Sequence, residues 1–352
     1  MFTKSGSILK SLPGPVLVTG HTGFKGTWLL LLLAELGIET AGFALAPEEN
    51  ALYNRVKPQL ELNEKYADIR DRDSLAKFLN EIKPSYIFHL AAQPLVLESF
   101  EKPIETFDIN VMGTAYLLDS ARSQASVKGV SVITTDKVYQ NLGLRKRFSE
   151  IDPLAGSEPY GASKVGTEAV VDAWQQISKQ SHGPLISSLR AGNVIGGGDF
   201  AKNRLIPDLV RGAISGNPTE IRSPGSTRPW QHVLDPLLGY LAAAEFMLTT
   251  YDQDSFNFGP SEPSLQVADV VKISTETWPL IRSYLHDSSQ SGLESEFLDL
   301  DSARATQCLK WSPRINQDGA IRMTIQWWKD LNERQTNAFD LCKENLEFFL
   351  VD

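Results

Sequence analysis

The chain of 352 residues is long enough for one large domain or two moderate ones, each with its own core. Its 42% hydrophobic and 22% charged content is ordinary for a globular protein and argues against the disordered and membrane-spanning classes. A net charge of -9 argues against non-specific nucleic-acid binding, which needs a basic surface, yet a few placed arginines and glycine turns still suffice to hold an anionic ligand.

In chain order, residues 1–14, with Gly6, Pro13 and Gly14, read as a loose leader. Val16-Leu17-Val18-Thr19 is a short apolar run suited to a buried parallel strand. A glycine-rich turn follows, then a helix over residues 27–36 that stops at Gly37. The leucine run at 29–33 behind Lys25 loosely resembles a signal-peptide core, but it is too short to span a bilayer and a strand and turn come before it. A buried first helix in a cytoplasmic protein is the better reading. Further strands are expected at 40–46, 86–90 and 131–135, with helices at 73–82 and 111–123 between them. Strands alternating with helices imply crossover connections, hence an α/β fold with a doubly wound, parallel, Rossmann-type sheet.

Beyond Arg190 the texture changes, because Gly196-Gly197-Gly198, Pro207, Pro218, Pro224 and Pro229 break the pattern into short pieces. That suits a smaller lobe shaping a ligand pocket. The expected division is a dinucleotide-binding domain at 14–190, to which 231–258 returns, and a substrate lobe formed by 191–230 and 259–352. Cys308 and Cys342 lie far apart and read as buried thiols in a reducing compartment. His21, His89, His182, His232 and His286 show no metal-ligand spacing, so no metal site is expected.

Gly20-His21-Thr22-Gly23-Phe24-Lys25-Gly26 lies between the first strand and the first helix. In that place one glycine permits a sharp turn, another lets backbone N–H groups approach a pyrophosphate, and a third lets helix and sheet pack closely. Gly20, Thr22, Gly23, Phe24, Lys25 and Gly26 are therefore candidate cofactor contacts. The acidic residue that would hold a ribose hydroxyl is missing from 41–46, Glu48 and Glu49 fall slightly late, and no arginine stands there for a 2′-phosphate. These residues fit NAD and NADP alike.

Tyr160 and Lys164 are four residues apart at the start of a helix expected to run to about Gln176, so they share one face. A nearby ammonium favours the phenolate and predicts a lowered tyrosine pKa, which makes Tyr160 a candidate base near neutral pH. Taken singly, such a pair is commonly just an exposed surface feature; here it coincides with the glycine turn and with Thr135 ending a strand.

With these residues in place, the sequence resembles the extended short-chain dehydrogenase/reductase family over nearly its whole length. Gly20/Gly23/Gly26 and Tyr160/Lys164 match that family's two signatures, and Asp68-Ile69, His89-Leu90-Ala91-Ala92 and Asn110-Val111-Met112-Gly113-Thr114 match further landmarks. The resemblance narrows to the sugar-nucleotide 4,6-dehydratases at Thr134-Thr135-Asp136-Lys137, and to the CDP-glucose type in Phe88 to Val96, Arg190 to Asp199, Arg204-Leu205-Ile206-Pro207-Asp208 and Arg228 to Leu234. It implies NAD as cofactor, with Asp68, Ile69, Leu90, Ala91 and Ala92 beside Tyr160 and Lys164 in its site. It also implies a sugar nucleotide, CDP-glucose or similar, held by Gln93, Ser99, Asn193, Arg204, Leu205, Arg228, Gln231 and His232. Leu97-Glu98-Ser99-Phe100 stands where the family usually has Arg-x-Ser-Tyr, Phe200 where Trp is commoner, and Val138 where Cys is frequent.

By that resemblance, Thr135 holds the sugar 4-hydroxyl, Tyr160 removes its proton, and hydride passes from C4 to NAD. The ketone acidifies the C5 proton, water leaves across C5–C6, and hydride returns at C6. Asp136 is the expected acid for the departing hydroxyl if burial raises its pKa. Lys137 replaces a glutamate, either as a neutral base for the C5 proton or as a cation beside an enolate. Arg204 and Arg228 are expected to clamp the diphosphate, supported by Gln231 and His232. The competing readings are a 4-epimerase or 4-keto reductase on the same scaffold, which has no use for Asp136-Lys137, and a catalytically silent dinucleotide sensor, which has no need of Tyr160 or Lys164. A homodimer, possibly a tetramer, is expected to pair through 111–123 and the Tyr160 helix, whose Val165, Ala169 and Trp174 exceed what one sheet face needs.

Overall fold

The structure, a computed structural model, describes residues 7–285, 297–334 and 336–351, so His286 lies outside it. Seven parallel strands form the central sheet: Val16–Thr19 (β1), Thr40–Ala44 (β2), Asn63–Tyr66 (β3), Tyr86–His89 (β4), Gly129–Ile133 (β5), Leu185–Ala191 (β6) and Phe256–Phe258, which is β11 in chain order. Their spatial order is β3-β2-β1-β4-β5-β6-β11. The order reverses between β1 and β4, and the crevice at the carboxyl ends of those two strands is where open α/β sheets bind ligands.

Helices cover both faces. Phe24–Glu35 (α2) is buried from Gly26 to Leu33, which explains its lack of a polar face: it lies between the sheet and a C-terminal helix, Ala338–Leu350 (α13). Arg72–Ile82 (α4) and Gly113–Arg122 (α7) pack on the opposite face, their Leu75, Phe78, Leu79, Leu117 and Leu118 meeting Ile87, Val130 and Val132 of the strands. The long helix Pro159–Ser181 (α8) carries Tyr160 and Lys164 alongside α7. Leu234–Thr250 (α10) returns across β5 and β6 and delivers β11 to the sheet.

The expected strands and helices are present, with ends displaced by a few residues. Many further elements were not expected, and β3, β6 and a helix in the leader show why. β3 reads Asn-Glu-Lys-Tyr and is mostly exposed, so it has no apolar alternation to betray it. β6 has Ser187 and Ser188 in its middle, both buried because partners within the fold satisfy them. The leader is not loose from residue 7 onward. Ser7–Ser11 (α1) is helical, with Leu9 buried in the main core and the Ile8 N–H donating to Glu245 at 3.2 Å. Ahead of α7 the helix is π-helical over Asp108–Met112, a local widening that often accompanies functional positions.

Candidate active site

The glycine turn forms at the carboxyl end of β1. Gly20 takes φ +71°, and a Cβ there would sit 2.7 Å from the Ala91 nitrogen, so the turn lies hard against residues 90–91 after β4. At Gly26 a Cβ would come within 2.2 Å of the Gly20 carbonyl oxygen; only glycine lets α2 begin so close to the strand. Gly23 is exposed at the helix N-terminus, where no side chain caps the first N–H groups. Such a cradle fits a dinucleotide pyrophosphate. Thr22 donates to the Leu45 carbonyl at 3.0 Å, tying the turn to the end of β2. Asp68 is bound by Arg70 through two contacts of 3.0 and 2.7 Å, and Ile69 packs on Gly113.

The 90–92 turn is fixed from below by His89. Thr114 donates its proton to the Asn110 carbonyl, so His89 carries its own on Nε2, donates to Thr114 at 3.0 Å, and accepts from Thr19 at 2.7 Å. Burial, helped by the charge of Lys164, pushes His89 down to about 3, so it is neutral.

Across the crevice, β5 ends at Ile133 and the chain runs through Thr134 and Thr135 into a tight turn, Asp136–Val138. Thr135 caps that turn by accepting from the Lys137 N–H, donates to Asp136 at 3.0 Å, and lies close enough to Tyr160 to act on its hydroxyl. Four of the five residues expected to carry chemistry, Thr135, Asp136, Tyr160 and Lys164, are buried, while Lys137 is half-buried. Asp136 Oδ2 has no hydrogen-bond partner among the described residues. Burial raises the Asp136 pKa, and the cations Lys137 and Arg228 only partly offset it.

The expectation of a lowered tyrosine pKa is not met. Burial pushes Tyr160 up to about 12, with Asp136 and Glu158 adding to the rise while Thr135 and Arg204 oppose it. Lys164 instead donates to the Ile133 carbonyl at 3.0 Å, and burial brings it down to about 8 despite Glu168. Lys25 turns toward the same centre: its Nζ donates to Tyr240 at 3.3 Å, and burial with the charges of Arg204 and Lys164 lowers it to about 7.

The second wall comes from the loop-rich segment. Thr227–Arg228 (β9) precedes Pro229, which with Asp136 closes on Gly192; a Cβ at Gly192 would meet the proline at 2.4 Å and Asp136 at 3.0 Å. Arg228 is buried and Arg204 half-exposed, paired with Asp199 at 3.1 Å as it leads into Leu205–Ser215 (α9), whose first residue is Leu205. Gln231 donates its N–H to the Asn193 carbonyl and its side-chain amide to the Phe258 carbonyl, with Oε1 unpartnered among the described residues.

Three residues expected to touch substrate are engaged elsewhere. His232 is wholly buried, stacked on Phe349 at 4.9 Å and edge-on to Trp28, and burial lowers it to about 3; it is a core residue. Ser99 donates to the Val96 carbonyl and accepts the Tyr160 N–H at 3.1 Å, so it caps the catalytic helix. Gln93 spends its amide on Leu95 in its own loop and on Thr106 in the helix Pro103–Phe107. Sequence reasoning missed the buried ion pair beneath the site: Glu168, two turns beyond Tyr160 on α8, and the Arg190 it pairs with. The Tyr160, Lys164, Glu168 spacing of four was the available signal.

The family model described as NAD dependent epimerase/dehydratase family matches residues 16–259. The chain belongs to that family. A CDP-glucose 4,6-dehydratase from Salmonella typhimurium (strain LT2) is 40% identical over 323 residues, covering 89% of this chain and 90% of the relative. A probable dTDP-glucose 4,6-dehydratase from Sinorhizobium fredii is 28% identical over 336 residues, covering 89% and 92%. Among solved structures, MoeE5 in complex with UDP-glucose and NAD is 26% identical, with a TM-score of 0.75 over 90% of this chain and 99% of that one. The cofactor of the family is NAD, and the glycine cradle fits it. Among the described residues no helix is long and apolar enough to cross a membrane.

Proposed function

We propose that the protein is a sugar-nucleotide 4,6-dehydratase, a hydro-lyase acting on CDP-glucose or a closely related nucleotide hexose. The observation that carries this reading is Asp136. It is a buried carboxyl with a raised pKa and one unpartnered oxygen, held beside Thr135 and Tyr160 under the Gly192–Pro229 roof. A 4-epimerase or 4-keto reductase needs no acid to expel a hydroxyl, whereas a dehydratase does. The 40% identity to a CDP-glucose 4,6-dehydratase favours the same choice.

Held by the glycine cradle beside Tyr160 and Lys164, NAD would supply a hydride acceptor and donor for the sugar and a positive ring charge that would favour the Tyr160 phenolate. Tyr160 takes the 4-hydroxyl proton while Thr135 orients that hydroxyl. Lys164, one turn from Tyr160 on α8, would hold the nicotinamide ribose. Once C4 is a ketone, Lys137 takes the C5 proton, and a proton returns to C5 when hydride reaches C6. Asp136 gives its proton to the C6 oxygen, which leaves as water. Asp68 and Ile69 border the adenine, Leu90, Ala91 and Ala92 the cofactor's central part, and Arg204 and Arg228 the diphosphate, with Leu205, Asn193 and Gln231 beside them. The substrate lobe in this reading is 191–230 with 259–352, set against a Rossmann domain of 14–190 with 231–258. The enzyme works in the cytoplasm as a homodimer.

The test is incubation with CDP-, dTDP-, UDP- and GDP-glucose, with mass spectrometry watching for loss of water. CDP-glucose should dehydrate fastest. Unchanged mass for every nucleotide sugar, with one of them epimerised, overturns the reading.

A further inference from the structure

Beneath the reacting groups lies a buried ion pair that the chemistry above does not use. Arg190 grips Glu168 with two parallel bonds, Nε to Oε1 at 2.9 Å and Nη2 to Oε2 at 2.8 Å, and both side chains are about 95% or more buried, at 5% and 3% exposure. Removing two charges from water is costly, and an apolar pair of the same volume is often at least as stable, so stability alone is a poor account of such a pair. Its remaining bonds show what it holds. Thr134 donates to Glu168 Oε1 at 2.6 Å, and Ser188 to Oε2 at 2.6 Å. Arg190 Nη1 donates to the Tyr139 hydroxyl at 3.0 Å, which in turn donates to Asn257 at 2.6 Å.

Thr134 and Tyr139 are the residues on either side of 135–138, the segment that carries Thr135, Asp136 and Lys137. Glu168 stands one helical turn beyond Lys164 and two beyond Tyr160 on α8. One ion pair therefore ties both flanks of the acid-bearing turn to the helix that bears Tyr160 and Lys164. We propose that Glu168 and Arg190 are positioning residues that set Asp136 and Lys137 against Tyr160 and Lys164, and so couple the water-elimination step to the oxidation step. This rests on the dehydratase reading above.

Thr134 and Tyr139 can be altered while the two side chains of the pair and the reacting groups stay in place, each change removing one tie to the pair. Tyr139→Phe keeps a ring stacked on Phe148, now 5.2 Å away, and removes only the hydroxyl. Thr134→Val keeps the β-branched shape and removes the other tie. Misplacing a reacting group by about 1 Å costs on the order of 100-fold. Each variant should therefore keep sugar-nucleotide KM and first hydride transfer within a few-fold, while water elimination slows by roughly 10- to 100-fold. Bound NADH should build up, and washout of deuterium from a C5-deuterated substrate should slow. Two variants guard against one failing to fold, which circular dichroism would reveal. If both partial reactions fall by the same factor, or if only the melting temperature moves, the positioning role is overturned while the dehydratase reading stands. If the parent enzyme removes water from no nucleotide sugar, the dehydratase reading falls and this inference falls with it.

Discussion

At the scale of single residues, the site separates two jobs that share one crevice. Tyr160 and Lys164 project from α8, and Asp136 and Lys137 from the turn after β5. Tyr160→Phe removes only the proton acceptor, so sugar-nucleotide binding should persist while the first hydride transfer falls by about 10²–10⁴-fold; a variant within a few-fold of the parent would mean another group is the base. Lys137→Ala should still reduce NAD but stall before losing water, seen as accumulating NADH absorbance and retained deuterium at C5. Parental rates of dehydration and exchange would make Lys137 a bystander and its replacement of glutamate a structural matter. The pKa pattern adds a sign: Asp136 donates only while protonated, and burial raises its pKa, so the elimination step should weaken as pH rises past that raised value.

At the scale of elements, what was legible in the sequence was whatever carries an apolar period or a glycine constraint. β1, β2, β4 and β5 are buried throughout and read directly as strands. β3 was not legible, because its identity depends on long-range partners. Glu64 in β3 receives bonds from Lys57, from Tyr53 at 2.6 Å, from His21 at 2.9 Å and from Tyr66 at 3.0 Å, joining the glycine turn, the helix Leu52–Val56 (α3) and the sheet edge. Burial opposes its ionisation, but those donors win and hold it from an ordinary 4.5 down to about 2. A depressed carboxyl stabilises the fold above its ordinary titration range and loses that contribution as pH falls through 4.5 toward 2. Glu64→Gln should therefore cost about 1–3 kcal/mol at neutral pH, measured by urea unfolding, and the deficit should shrink below pH 4.5. A deficit independent of pH would show that shape, not charge, holds the hub. The same blindness to distance explains the site residues placed differently. His232 looked like a ligand beside Arg228 and Gln231, but β10, Gln231–His232, turns it into the core against α2 and α13.

At the scale of the whole molecule, the parallel sheet follows from alternating strands and helices and the glycine cradle from its place between the first strand and helix, and both were legible for that reason, whereas the switch point came only with the strand order. How chains pair was less so. Val165 and Trp174, expected at a subunit face, pack against clusters within the chain, while Ala169 is exposed. Large apolar side chains left open on the helices here include Ile104, 85% exposed, with Phe100, Phe107 and Met112 on the segments that pack along α8, and Ile177 on α8 itself. Exposed apolar groups collected on adjoining helices mark interaction surfaces more often than solvent-facing ones. A second copy related by a twofold axis would cover them with the same residues, and a stable pair needs about 1,200–2,000 Å² buried in total. Sedimentation equilibrium should give twice the chain mass at micromolar concentration, and Ile104→Asp with Phe107→Asp should shift it toward the single chain. Because Thr135, Asp136, Tyr160 and Lys164 all come from one chain, the separated variant should keep measurable dehydration. A parent protein that sediments as a monomer at every workable concentration would remove the dimer from this account and leave the chemistry standing.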